Sequence, residues 1–241
     1  RFRAHRLTGT QRYAAELVSR LSLDSRMIQP EGVLKGVRGH LWEQSVLPSR
    51  VGRKLLWSPC NTGPLATSRQ VVTIHDISAI DHPEWFNRSF AALYQWLLPR
   101  LVRRVQKIIT VSEYTKQRLL LRFGVPSDKI AVIANGVGPE YVPSSAKDID
   151  RVRRKLNLPA GAYVLSVGSL EPRKNLARLL AAWEKVSADR ELTLVIAGGT
   201  GDSAVFRDAG IRGIPDGIHL TGYVPEEDLP ALYSGAACFV Y

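Results

Sequence analysis

YVLSVGSLEPRKNLARLLAAWEKVSADRELTLVIAG, residues 163–198, is the stretch that decides the fold. YVLSVGS (163–169) and LTLVIAG (192–198) are short, β-rich and almost continuously apolar. Runs of that kind suit strands buried on both faces of a sheet. Between them, residues 175–188 carry apolar side chains at helical spacing, with Leu176, Leu179, Leu180 and Trp183 on one side. A strand, a helix and a second strand in this order form a parallel pair joined by a crossover.

The same rhythm extends in both directions. Upstream, LLWS (55–58), VVTIH (71–75), KIITVS (107–112) and KIAVIAN (129–135) read as strands. Downstream, IHLTGY (218–223) and CFVY (238–241) do so. Helical patterns cover 9–22, 88–105, 113–123 and 226–234, with one more near 148–156. The expected architecture is α/β, doubly wound around parallel sheets. GVGPEYVPSSAKDID (136–150) breaks the alternation with Gly, Pro and Ser, so it reads as a linker between two doubly wound domains, 1–145 and 146–241. Residues 23–40 read as irregular where a further strand is expected, and CFVY has no covering helix after it. The second domain is therefore expected to be incomplete.

Bulk properties narrow the function classes. An apolar fraction of 45% supports a sizeable core and argues against disorder. No apolar run reaches the roughly 18–20 residues of a bilayer span. The expected location is cytoplasmic, with peripheral attachment to the inner face of a membrane as an option. Cys60 and Cys238 flank apolar segments and read as buried free thiols. Residues 1–150 hold 22 Lys+Arg against 12 Asp+Glu, whereas residues 151–241 hold 11 against 10. A one-sided basic field points to an anionic partner such as a phosphorylated substrate or an acidic lipid surface. Arg100, Arg103, Arg104 and Lys107 at helical spacing read first as a solvated face, and in this basic domain they could touch such lipid. No nucleic-acid motif or stacking platform is present in the sequence, so no nucleic-acid partner is expected.

In open α/β sheets ligands gather at the carboxyl ends of strands. The unusual residues lie there: His75-Asp76, Ser112, Asn135-Gly136, Gly168-Ser169, Gly198-Gly199 and Gly222-Tyr223. Two such sets, one per domain, suggest a ligand held between the domains. TGTQRY (8–13) fits a capping box, Thr8 with Gln11, and Gly9 lets a phosphate approach the free amides of a helix start. A plain helix cap explains that segment equally well. GSLEPRKN (168–175) places Arg173 and Lys174 at a strand-to-helix turn. Arg supplies forked hydrogen bonds and Lys a point charge, a pairing suited to a pyrophosphate. Neither a P-loop nor a GxGxxG occurs, which disfavours ATPase and NAD chemistry. His75 beside Asp76 could orient a sugar hydroxyl or move a proton, although a single His taken alone is more often structural. Asp148-Ile149-Asp150 has the D-x-D spacing of a metal site but follows no strand, and reads as a helix start.

Taken in order, TGTQRYAAEL, VVTIHDISAIDHPEWF, IITVSEYTKQRL, KIAVIANGV, VGSLEPRKNL, LVIAGG and HLTGYVPEEDLPALYSGAACFVY resemble the family 4 glycosyltransferases over nearly the whole chain. LWEQSVLP and NTGPL resemble the bacterial mannosyltransferase-like branch, which builds surface polysaccharides. The resemblance implies a GT-B fold, two facing Rossmann-like domains with the acceptor on the first and the nucleotide sugar on the second. It implies retaining transfer of a hexose, mannose favoured, from a GDP- or UDP-sugar to a saccharide or lipid-linked acceptor, with no metal and no other cofactor. By matching motif, Gly9 and Thr10 would approach the donor phosphates and His75 the transferred sugar. Arg173 and Lys174, after Gly168, would hold the pyrophosphate. Gly198, Gly222, Tyr223 and Val224 would line the nucleotide site. Family members continue past a segment like CFVY into a helix bearing two glutamates. The chain as it stands is accordingly expected to be inactive as a fragment; a shortened, non-catalytic module that binds sugar nucleotide or membrane is the alternative.

Overall fold

The computed structural model describes residues 9–22, 24–32, 34, 36–168, 174–187, 192–198 and 216–241. The chain separates into two compact units, Arg1–Gly136 and Val137–Tyr241. Divided there, the charge asymmetry is sharper than in the 1–150 division. The first unit holds 21 Lys+Arg against 9 Asp+Glu, net +12, and the second 12 against 13, net −1.

In the first unit, β1 (Leu56–Ser58), β2 (Gln70–Ile74), β3 (Lys107–Thr110) and β4 (Ile130–Val132) form a parallel sheet in the order β1-β2-β3-β4. Its helices are α1 (Gly9–Arg20), α2 (Gly36–Val51), the single turn α3 (Ser78–Asp81), α4 (Arg88–Arg104) and α5 (Glu113–Phe123). Val72 and Ile74 of β2, Ile108 of β3 and Ile130 of β4 meet Leu98, Leu101 and Val102 of α4 and Leu119 and Phe123 of α5 in one core. Local chemistry sets the helix ends. Asn87 caps α4 by accepting from the Phe90 amide at 2.8 Å, and Ser112 caps α5 by accepting from the Thr115 amide at 3.2 Å. Such caps contribute about 1 kcal/mol each. Gly124 closes α5 at φ 60°.

Two features depart from the sequence reading. Residues 36–40, read as irregular, open α2. Its buried stripe is Gly39, Glu43, Leu47 and Val51, and Pro48 lies inside it. A stripe containing a glycine and a glutamate gives no apolar period to read. The parallel pair β1–β2 is joined by residues 59–69 without a helix. That crossover has backbone groups to satisfy, and α2 satisfies them. Gln44 donates from Nε2 to the Gly63 carbonyl at 2.9 Å and accepts at Oε1 from the Leu65 amide at 2.9 Å. Glu43 accepts from the Thr62 hydroxyl at 2.9 Å. The LWEQSVLP and NTGPL segments are thus two halves of one clasp.

In the second unit, β5 (Ala162–Val167), β6 (Leu192–Ala197), β7 (Ile218–Gly222) and β8 (Cys238–Phe239) are parallel in the order β7-β6-β5-β8. β6 alternates between faces. Leu194 and Ile196 pack on Leu176, Leu180 and Trp183 of α7 (Leu176–Ser187). Val195 and Ala197 pack with Val152 of α6 (Ala146–Lys155) and Ala231 and Leu232 of α8 (Leu229–Ser234). Helices therefore cover both faces of this sheet. Asp148 of the D-x-D lies in the first turn of α6, its amide capped by Ser145 at 3.2 Å. The fully buried Asp228 ties α6 to α8, accepting from Arg151 at 2.8 Å and Lys155 at 2.6 Å. Burial alone would raise its pKa; the hydrogen bonds from Lys155 and Arg151 outweigh that and hold it below the ordinary Asp range. Of the cysteines expected to be buried, Cys60 is half-buried and Cys238 is exposed, and both are free thiols.

Candidate active site

At the carboxyl edge of the first sheet, α1 meets the ends of β1 and β2. The Cys60 thiol donates to the Thr10 carbonyl at 3.5 Å, which fixes the first turn of α1 beside the end of β1. Tyr13, one turn on, sets its ring edge-to-face against His75, with centroids 4.7 Å apart and planes at 88°. Gly9, Thr10 and His75, drawn from opposite ends of a 67-residue stretch, are gathered at one edge. Thr8, the other half of the capping box, lies outside the described residues.

His75 is held on several sides. Its amide donates to Asn61 Oδ1 at 2.7 Å, and its carbonyl accepts from the Thr115 hydroxyl at 3.1 Å. Ring Nε2 lies 2.9 Å from the Pro59 carbonyl. A carbonyl only accepts, so Nε2 carries the proton and the lone pair of the neutral ring is on Nδ1. Burial lowers the His75 pKa below 6.5, with the Pro59 hydrogen bond and the Asp76 charge opposing it in part. At neutral pH the imidazole is therefore uncharged, with an acceptor at Nδ1. Asp76 plays a local part, since its carboxylate accepts from the Ser78 amide at 2.9 Å and from the Ser78 hydroxyl, starting α3. Tyr13, Pro59 and Asn61 escaped the sequence reading because nothing local marks them. Asn61 sits at φ 61°, a left-handed conformation that Asn adopts more readily than most residues. Ser112, read as a strand-end residue, is the α5 cap.

At the carboxyl edge of the second sheet, three glycines stand side by side. The Gly168 amide donates to the Ala197 carbonyl at 2.9 Å, and the Gly198 amide to the Gly222 carbonyl at 2.8 Å. Gly198 and Gly222 have φ of 116° and 68°. A Cβ at Gly198 would overlap the Gly168 carbonyl, whose carbon would be 2.9 Å away. At Gly198 the missing Cβ makes room for the Gly168 carbonyl, whereas the Cβ position of Gly222 meets none of the described residues, so this ridge of glycine backbone is open to close approach at Gly222. Lys174 crosses it, its Cε 3.7 Å from where a Gly168 Cβ would be. The Lys174 ammonium meets the Tyr241 hydroxyl and lies 4.1 Å from that ring centroid. Asn175 at φ 53° turns the chain into α7, which starts at Leu176. Tyr223 is exposed, whereas the Val224 side chain packs into the core, so only its backbone can face a ligand. Arg173 lies outside the described residues. The strand order reverses between β5 and β8, the switch point where open α/β sheets bind ligands.

The family models bear on these edges. The model described as Glycosyltransferase Family 4 matches residues 56–141, and that described as Glycosyl transferases group 1 matches 148–241. The chain belongs to the family 4 glycosyltransferases. Bacterial mannosyltransferases are among its relatives. O-antigen chain mannosyltransferase B of Escherichia coli is 32% identical over 182 residues, 74% of this chain and 48% of that protein. O-antigen chain mannosyltransferase RfbU of Salmonella typhimurium is 27% identical over 190 residues, 78% of this chain and 49% of that protein. The chain thus spans about half the length of these relatives. Among solved structures, WaaG, a glycosyltransferase involved in lipopolysaccharide biosynthesis, aligns with TM-score 0.62 over 98% of this chain and 71% of its own at 14% identity. HepE of Anabaena, in complex with UDP and glucose, aligns with TM-score 0.58 over 88% of this chain and 58% of its own at 18% identity. These structural likenesses place the fold as GT-B.

Proposed function

We propose that the protein transfers a hexose, mannose favoured, from a nucleotide-diphosphate sugar to a saccharide or lipid-linked acceptor, with retention at the anomeric carbon. The observation that carries this reading is the glycine ridge with Lys174 across it. Backbone without side chains and a cation at a switch point suit a diphosphate that must approach closely. HepE, a fold relative, is described in complex with UDP and with UDP-glucose, and the sequence relatives are O-antigen chain mannosyltransferases.

In this reading Gly168, Gly198 and Gly222 admit the nucleotide and diphosphate, flanked by Tyr223 and the Val224 backbone. Arg173 and Lys174 neutralise charge as the sugar–phosphate bond breaks. In the first unit, the N-terminal turn of α1 at Gly9 and Thr10 offers amides to the phosphates, and His75 Nδ1 accepts from a sugar hydroxyl. The cations take the role that a divalent metal has in other transferases, so none is needed. Titration calorimetry of the full-length protein with GDP and with UDP tests this. One of the two binds with unchanged affinity in excess EDTA. Binding of neither, or binding only with a divalent cation, would contradict the reading.

The net +12 unit supports a second part of the proposal, attachment to an anionic membrane surface that carries a lipid-linked acceptor. Arg100, Arg103 and Arg104 are exposed on α4, with Arg100 over the exposed Trp96 ring, 4.9 Å from its centroid, whereas Lys107, read at the same helical spacing, opens β3 and donates from Nζ to the Asp128 carbonyl at 2.8 Å. No described helix is long and apolar enough to cross a membrane. Sedimentation with anionic vesicles should show binding that weakens as salt rises. Equal sedimentation with neutral vesicles, or none with either, returns these cations to a solvated face.

A further inference from the structure

The loop between β1 and β2, residues 59–69, is irregular, and irregular loops are ordinarily the mobile parts of a fold. This one is held at six of its first seven positions. On the His75 side, the Pro59 carbonyl meets ring Nε2, the Cys60 thiol donates to Thr10 of α1, and Asn61 Oδ1 accepts from the His75 amide. The Asn61 amide in turn donates to the Thr73 carbonyl of β2 at 3.0 Å. On the other side, Thr62, Gly63 and Leu65 are the residues that Glu43 and Gln44 of α2 grip.

The grip is built from locally unfavourable choices. Glu43 is buried and Gln44 half-buried, and each gives up hydration that leucines on the same side of α2 would not need. Asn61 sits in the left-handed region at φ 61°. Gly63 presses on the sheet: a Cβ there would lie 2.8 and 2.9 Å from the polar atoms of the fully buried Gln70 amide and 2.9 Å from the Ser58 hydroxyl. Choices of this kind concentrate where a geometry is held for function.

The geometry held here is that of His75. Thr62 and Gly63 directly follow Asn61, so any shift of the gripped residues is carried to Asn61 and Pro59. A neutral imidazole keeps its proton on one nitrogen because of the acceptor beside it. With the Pro59 carbonyl displaced, the ring exchanges between its two tautomers. A protonated Nδ1 cannot accept from a sugar hydroxyl.

We propose that Glu43 and Gln44 are positioning residues for His75: by gripping residues 62–65 they hold Pro59 and Asn61, and through these the orientation and tautomer of the imidazole. This rests on the reading of His75 as the group that accepts from the transferred sugar.

Nitrogen NMR of the full-length protein reads the tautomer without any turnover, with the His75 signals assigned by their loss in His75→Ala. At neutral pH the wild type should show one tautomer, protonated at Nε2. Gln44→Ala should show a mixture, and kcat should fall roughly 10-fold with the donor KM unchanged. Asn61→Gly, which suits the left-handed backbone but removes the acceptor, should do the same. Glu43→Gln, which keeps an acceptor for Thr62, should retain the single tautomer and most of kcat, whereas Glu43→Ala should not. In a His75→Ala background, Gln44→Ala should lower kcat no further, a result that general loss of stability does not produce. A single tautomer in both Gln44→Ala and Glu43→Ala would overturn the proposal. So would a fall in kcat from Gln44→Ala that is as large in the His75→Ala background as in the wild type. A mixed tautomer with wild-type kcat would uphold the positioning and sink the role of His75 in transfer.

Discussion

Transfer by a His75→Ala variant of the full-length protein is expected to fall by about 100-fold or more in kcat, with little change in donor KM. The Pro59 carbonyl fixes the proton on Nε2, so Nδ1 accepts. As the leaving diphosphate departs, positive charge grows on the sugar and its hydroxyls become better donors. A hydrogen bond to Nδ1 is then stronger in the transition state than in the ground state, so its loss lowers kcat and leaves KM alone. The pH dependence follows from the lowered pKa. The neutral ring is the working form, so rate is constant above 6.5 and falls only as the pH drops through the lowered folded value. Stability carries the same sign: the contribution of neutral His75 is complete above 6.5 and is lost in the same acid window. A variant with wild-type kcat, or an acid limb above 6.5, would return His75 to a structural role.

The double variant Arg173→Ala, Lys174→Ala should lose the most nucleotide affinity. Hydrogen bonds to a charged group contribute about 1.5–3 kcal/mol each. Losing both therefore weakens GDP or UDP binding by roughly 100-fold to 1,000-fold or more. Lys174→Ala alone should weaken binding by roughly 10-fold, the low end of that range for one residue, because its ammonium also engages the Tyr241 ring. Calorimetry reads both variants directly. Single and double variants that bind like the wild type would remove these residues from the diphosphate site, whatever the fate of the transfer reaction.

Most strands are legible in the sequence because a parallel strand is a short apolar run, often ended by a glycine or a polar residue. β6 shows it: Leu194, Val195, Ile196 and Ala197 are all buried, two toward each face, and Gly198 follows. Helices with apolar stripes, such as α4 and α5, are equally clear. The α2 helix is not, since its inward face includes Gly39 and Glu43, and Glu43 is there to receive the Thr62 hydroxyl. No periodicity announces a buried glutamate whose partner is 19 residues away. The same limit applies to the ion pairs that join elements. Asp81 finds Arg118 and Arg122, and Asp228 finds Arg151 and Lys155, across sequence gaps that carry no signal.

At the candidate site, residue types at strand ends are readable, but their couplings are not. His75 stands out as a histidine after an apolar run. Its tautomer depends on Pro59 and its packing on Tyr13, both set by the sheet and α1 meeting in space. The glycines at 168, 198 and 222 stand out singly. That they form one ridge follows from the order β7-β6-β5-β8, which only the fold reveals. The stacking of His82 on Trp85, and of Phe86, Phe90 and Tyr94 on one another, is not evident in the linear sequence, because it emerges once the turn at 83–85 and α4 are built.

Retaining hexose transfer is tested most directly by the stereochemistry of the product. The full-length protein is incubated with GDP-α-mannose or UDP-α-glucose, a lipid-linked saccharide acceptor and EDTA, and the anomeric configuration of the product is read by NMR. One donor, GDP-mannose in first place, should yield an α-linked hexose on the acceptor. A β-linked product, or no transfer from either donor, would contradict retaining transfer.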